Sequence, residues 1–270
     1  MRLEHLLLIA VVQGITEFLP ISSSGHLILA PALTGEADQG LTIDVAVHVG
    51  TLFAVILYLW RDVWRMTAGL LRGLTGRRDP GARLAFQVIL ATLPLVVAGY
   101  AASRYLGDAL RTAEIVAWAT LGFGLVLGVA DHIGMTVRRI EHMGYGSAFF
   151  IGLSQILALI PGTSRSGITM TAARLLGYER SEAARFSMLM SIPAIIAAGG
   201  LAGLDLYESG DIALGLDAAV AAGLSFITAL IAIAVMMSWL RRASFLPFVI
   251  YRIVLGGGLL IWIYMFNGAA

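Results

Sequence analysis

Two stretches of this chain carry polar side chains among residues that are otherwise almost wholly apolar. Residues 13–35 read QGITEFLPISSSGHLILAPALTG, and residues 155–177 read QILALIPGTSRSGITMTAARLLG. In the first, Gln13 and Glu17 are four apart and share one helical face. Pro20 stops that helix, and Ser22, Ser23 and Ser24 stand where a short new helix begins with Gly25 and His26. Serine is a natural helix N-cap, and a helix N-terminus offers free backbone N–H groups and partial positive charge suited to a phosphate. The second stretch repeats this chemistry with Thr163, Ser164, Ser166 and Gly167 and adds Arg165. A guanidinium can hold phosphate oxygens in a fork and stabilise charge on a transferring phosphoryl group. The set describes a diphosphate site better than a cation site.

Each residue also has a plainer use. Serines at a helix break can merely satisfy freed backbone groups, and Gln13 can serve helix packing through a hydrogen bond. His26 alone reads as structural, as do Asp44 and His48, four apart near the outer end of the next helix. Glu17 and Arg165 are harder to dismiss. A charge in hydrocarbon costs ~3 kcal/mol on insertion scales, so each needs a task or a partner, and they could pair with each other.

The elements that must position these groups follow from composition. Of 270 residues, 59% are hydrophobic and 13% charged, which marks a polytopic membrane protein rather than a soluble domain. Apolar runs near 42–60, 84–103, 113–131, 184–204, 212–240 and 246–266 are long enough to cross the hydrocarbon, whereas those near 5–20, 21–34, 147–161 and 164–177 are too short. Small residues at helical spacing, such as Gly122, Gly124 and Gly128, suit helix packing rather than a barrel, so the fold is expected to be all-α. With no cysteine there is no disulfide framework and no thiolate metal site. Arg2 and its apolar run look like a signal peptide, but no small-x-small cleavage site follows, and the run is expected to be retained.

All basic residues are arginine. They crowd into 61–83, into 131–146 at Arg138 and Arg139, and into 241–245 at Arg241 and Arg242, which places those loops in the cytoplasm by the positive-inside rule. Acidic segments at 35–40 and 203–217 are expected outside, and no nucleic-acid role fits this pattern. A shift of 142 residues aligns the two polar stretches with Gln13 on Gln155, Ser22 on Ser164, Ser24 on Ser166 and Gly25 on Gly167. Each copy is a broken pair of short runs followed by full-length spans. The chain therefore reads as one transmembrane domain, with inverted repeats over about 1–135 and 146–270 and a site between the two breaks.

QGITEFLPISSSGH and PGTSRSG resemble the two motifs of the undecaprenyl-diphosphate phosphatases of the bacitracin-resistance type, and IDVAVHVGTLFAV and SFLPFVIYR extend the likeness along most of the chain. The resemblance implies a bacterial inner-membrane, multi-pass hydrolase that removes the terminal phosphate of a polyprenyl diphosphate carrier. Carried over by position, Glu17, Ser23, His26 and Arg165 are the expected catalytic core, with Gln13, Ser22, Ser24, Gly25, Thr163, Ser164, Ser166 and Gly167 binding substrate. The likeness implies a divalent cation, Mg²⁺ or Ca²⁺, with Glu17 as candidate ligand, although Gln13 stands where many relatives carry Glu. The nucleophile is Ser23, a water beside it, or His26. The expected partners are the lipid substrate and the bilayer; a homodimer stays open, and the site is expected to open to the periplasm. Inverted repeats also suit a transporter or flippase. A phosphatidic-acid-phosphatase reading fails because the chain has no Lys and has Thr171 where that pattern needs His.

Overall fold

The computed structural model describes residues 3–27, 40–76, 78–105, 110, 112–209 and 212–267. Its helices are α1 (Leu3–Thr16), a short α2 over 23–27, α3 (Gly40–Tyr58), α4 (Trp60–Gly73), α5 (Pro80–Tyr105), α6 (Ala113–Ile133), α7 (Tyr145–Ser154), α8 (Arg165–Leu175), α9 (Arg180–Ser209), α10 (Ile212–Leu240) and α11 (Leu246–Trp262). Among the described residues the β structure is a single bridge between Arg138 and Tyr178, so the protein is all-α.

Four stretches, Pro80–Ala102, Ala113–Ile133, Gly215–Leu240 and Leu246–Met265, are long and apolar enough to cross a bilayer. A fifth is interrupted: α3 and α4 meet at an 83° bend. The run near 42–60 therefore ends in an elbow at Leu59, and the arginine-rich residues after it form a helix of their own. At 30 residues, α9 has the length of a sixth span. The short apolar runs become α1 with α2, and α7 with α8, each pair broken at its polar stretch.

The bundle packs tightly because glycines let backbones touch. A Cβ at Gly50 would lie 2.1 Å from the Ala222 carbonyl oxygen, which holds α3 on α10. Gly152 meets the Ala91 backbone in the same way, and Gly256 and Gly124 bring α11 and α6 together. α10 also lies along α1, and α8 is enclosed by α6, α7 and α9. Phe18, Met170, Phe186 and Phe245 fill the interior between these elements.

The three arginine-rich loops gather at one end of the bundle. Arg83 Nη2 donates to the Met143 carbonyl at 2.7 Å, tying the 61–83 segment to the 131–146 loop. Phe245 N donates to Asp131 Oδ2 at 3.0 Å, tying the 241–245 loop to the end of α6. Asp131 Oδ1 also accepts from the buried Arg174 and from Arg180. The acidic segment at 35–40 lies outside the described residues apart from Gly40, and so do most side chains of 203–217.

Candidate active site

Both breaks form the same local structure. After α1 the chain turns through Phe18 to Ile21 and enters α2; after α7 it passes a 3₁₀ segment, Gln155–Leu159, and enters α8. At each entry a serine takes a positive φ, 72° at Ser22 and 71° at Ser164, a region that non-glycine residues seldom adopt. The strain is offset by capping. Ser22 Oγ accepts from Gly25 N at 3.2 Å, and Ser164 Oγ accepts from Gly167 N at 3.1 Å. A serine two residues further on completes each frame, with Ser24 Oγ 3.4 Å from Ser22 Oγ and Ser166 Oγ 3.1 Å from Ser164 Oγ. In α8 the first-turn N–H groups of Arg165 and Ser166 have no acceptor within the helix, as at any helix N-terminus.

The breaks, 142 residues apart in sequence, touch. Ser166 Oγ donates to the Leu19 carbonyl at 2.9 Å, and a Cβ at Gly25 would lie 3.6 Å from Gly162 Cα. At the join, three donors converge on the buried carboxylate of Glu17. Gln13 Nε2 reaches Oε2 at 3.0 Å, Ser23 Oγ reaches Oε2 at 2.7 Å, and Arg165 Nη2 reaches Oε1 at 2.9 Å. Glu17 and Arg165 thus pair, as the cost of burying either charge demands, and Ser23 joins them.

A cavity of about 420 Å³ opens on this join, walled by Glu17, Ser23, Ser24, Ser164 and Arg165, with Asp44 and His48 on the facing helix α3. Buried polar atoms without a hydrogen-bond partner recur along the two broken segments, and that of Arg165 lies on the cavity wall. Of the six among the described residues, four belong to Gln13, Gln155, Thr163 and Arg165, all on the two broken segments. Native interiors rarely tolerate such atoms, so the free Arg165 nitrogen on the cavity wall marks a donor available to a polar ligand. Arg165 holds Glu17 with one terminal nitrogen and keeps the other, Nη1, buried and free.

The two histidines fall differently from expectation. His26 is not among the residues that line the cavity. Its Nδ1 lies 2.6 Å from the Ser22 carbonyl oxygen and its Nε2 2.6 Å from Tyr251 Oη, so both ring nitrogens are engaged. His48, for which the sequence favoured a structural role, lines the cavity, with Nε2 3.7 Å from Glu17 Oε2. Its Nδ1 is 2.6 Å from the Asp44 carbonyl oxygen, which can only accept, so the ring is held with Nε2 towards the carboxylate.

Arg252, on α11, is the residue that the motifs did not point to. It is fully buried and donates to four backbone carbonyls: Thr120 at 3.1 Å, Pro20 at 3.2 Å, Ala119 at 3.3 Å and Gly162 at 3.0 Å. Pro20 and Gly162 are themselves 142 apart, so one guanidinium binds the matching carbonyl of each break. A lone charge inside the apolar run SFLPFVIYRIVLGGG was the available signal.

Among the described residues no group of three acidic, histidine or cysteine side chains could hold a metal. Glu17 is the one carboxylate at the join, and its oxygens already accept from Gln13, Ser23 and Arg165. In this arrangement the side chains present do not fit a divalent ion held by protein alone.

A family model described as bacitracin resistance protein BacA matches residues 6–258. A relative from Ruegeria pomeroyi named undecaprenyl-diphosphatase is 57% identical over 259 residues, covering 95% of this chain and 97% of its own length. Undecaprenyl-diphosphatase 1 of Rhodospirillum rubrum is 54% identical over 272 residues, covering 98% and 96%. The undecaprenyl-diphosphatase of Hahella chejuensis is 48% identical over 262 residues, covering 97% and 98%.

Proposed function

The chain belongs to the bacitracin resistance protein BacA family, and from that premise we infer that it is an undecaprenyl-diphosphatase of the membrane. It hydrolyses the terminal phosphate of undecaprenyl diphosphate, releasing inorganic phosphate and the undecaprenyl phosphate that carries cell-wall precursors. The observation that carries the reading is the Ser23, Glu17 and Arg165 chain, in which a hydroxyl and a cation share one buried carboxylate.

Ser23 Oγ, or a water in its place, attacks the terminal phosphorus as Glu17 takes its proton. The bond from that phosphorus to the bridging oxygen breaks, and the bridging oxygen leaves with the carrier monophosphate. If Ser23 is the nucleophile, water then cleaves the phosphoserine, restores the hydroxyl and carries away phosphate. Arg165 Nη1 and the α8 N-terminus face the equatorial oxygens, where donors fixed in advance lower the barrier most. His48 stands beside Glu17 to relay a proton, whereas the engaged nitrogens of His26 suit orientation of α2 rather than attack. Arg252 holds the breaks in register.

A divalent cation, Mg²⁺ or Ca²⁺, would have to take most of its oxygen ligands from the substrate phosphates, since among the described residues the chain offers Glu17 alone at the join. The cavity draws on the start of α3 at Asp44 and His48, on Leu95 late in α5 and on Ile195 in α9, the portions remote from the arginine-rich loops. With those loops in the cytoplasm, the mouth faces the periplasm. The repeats of about 1–135 and 146–270 each contribute one wall. A carrier has no use for a hydroxyl bonded to a base, so the hydrolase reading is preferred to a flippase. Phosphate release from undecaprenyl diphosphate by purified protein in detergent, with and without chelator, tests activity and metal need together. No release under either condition would overturn the reading.

A further inference from the structure

The elbow after α3 leaves α4 with three distinct faces. Asp62 and Gly69 are buried: Asp62 Oδ2 accepts from Arg185 Nε at 2.8 Å, and a Cβ at Gly69 would lie 2.4 Å from the Ala82 nitrogen. That face is docked on α9 and on the start of α5. A second face is apolar and bare, with Trp60 56%, Trp64 68%, Leu71 63% and Leu74 85% exposed at helical spacing. The third, one position on, carries Arg61, Arg65 and Arg72. Arg72 is spent on Asp79 at 2.7 Å, whereas Arg61 and Arg65 have no carboxylate partner among the described residues. The Arg61 guanidinium lies 5.4 Å from the Trp60 ring centroid.

With α3 taken as the spanning part of the bent pair, a turn of 83° lays α4 along the membrane plane at the end that carries the arginine-rich loops. There an apolar stripe sinks to the acyl boundary while the neighbouring arginines reach the phosphates. The elbow adds a concave feature. A groove of about 320 Å³ is lined by Ile56, Trp60, Val63, Trp64 and Thr67, with almost no polar atom in its wall. Groove, tryptophans and unpaired arginines adjoin one another.

We propose that the α3–α4 elbow is a binding site for an anionic phospholipid, with an acyl chain in the groove and the acidic headgroup on Arg61 and Arg65. Charge complementarity selects this occupant over a zwitterionic lipid, because two arginines without acids gain most from a headgroup of net negative charge. The site lies at the opposite end of α3 from Asp44 and His48 and does not depend on the reaction assigned to the cavity.

Native mass spectrometry of the full chain, released from detergent with equimolar phosphatidylglycerol and phosphatidylcholine of matched acyl chains, tests the proposal. Wild type is expected to retain phosphatidylglycerol at least about fivefold over phosphatidylcholine, the factor that one arginine near an anionic headgroup supplies. Arg61→Gln with Arg65→Gln should bring the ratio near one, and Trp60→Ala with Trp64→Ala should lower retention of both lipids. If the double arginine variant fails to elute as a folded species, Arg65→Gln alone should still shift the ratio. A wild-type ratio near one, a preference that survives loss of the arginines, or a dimer that the tryptophan changes split without any lipid preference would each overturn it.

Discussion

The two breaks share a frame and differ in their cargo. Ser22 and Ser164 have the same φ to within a degree, cap the glycine three residues on, and sit two residues before a second serine. Between those serines the first break has Ser23 and the second Arg165; three residues before Pro20 stands Glu17, where the second copy has Leu159. One backbone solution thus presents a hydroxyl and a base from one side and a cation from the other. The comparison teaches that the helix-entry frame is the reusable part, while the chemistry lies in the few positions where the copies disagree.

The sharpest way to break that reading is at those positions. Glu17→Gln, Ser23→Ala and Arg165→Ala should each lower phosphate release by about a hundredfold or more, since loss of one stabiliser of developing charge typically costs ~3 kcal/mol in the barrier. Retention of more than about a tenth of wild-type turnover by the Glu17 and Arg165 variants would reduce them to a structural pair. Next in size is Arg252, which serves both breaks at once. Arg252→Met removes a guanidinium that donates to four buried carbonyls and should cost ~3 kcal/mol or more, read as a lowered Tm in detergent, with turnover falling alongside. Unchanged Tm and turnover would mean that the breaks hold register without it.

Smaller effects test the equivalence of the frames. Ser22→Ala and Ser164→Ala each lose a cap and should cost about 1 kcal/mol, whereas the glycine variants, which adopt a positive φ freely, should cost only a few tenths. Unequal losses would show that the matching φ values hide different local energetics. The mildest contrast lies between Gln13 and Gln155. Gln13→Ala should reduce turnover by about tenfold, the low end of the ~1.5–3 kcal/mol that a hydrogen bond to a charged group is worth, because Ser23 and Arg165 still hold Glu17. Gln155 Nε2 holds the Ala91 carbonyl at 2.7 Å, so Gln155→Ala should lower Tm and spare turnover.

Much of this was legible in the sequence because the frame is made of residues with strong local preferences. Pro20, the serines and the glycines interrupt apolar runs at fixed offsets, and a charge in an apolar run signals a task or a partner. That sufficed to single out Glu17 and Arg165; the family resemblance added Ser23 and His26, and of these four the structure brings Glu17, Ser23 and Arg165 to one point. Side-chain direction across elements was not legible. His26 lies next to Gly25 in the chain, yet packing of α11 puts Tyr251 within reach of its Nε2, while His48 reaches Glu17 only because α3 crosses the first break. Nor was the elbow visible. Leu59 and Trp60 continue the apolar run without proline or glycine, and the change of direction comes from docking of Asp62 and Gly69 on their neighbours.

The guanidinium of Arg252 also constrains how the molecule can move. It is bonded at once to Pro20 on the first break, Gly162 on the second and two carbonyls of α6. Any rocking of one break against the other would have to open these buried bonds. Arg252 is therefore a pin between the two breaks. While those bonds hold, the two broken segments behind the cavity keep one spacing, and Glu17 and Arg165 stay within reach of each other.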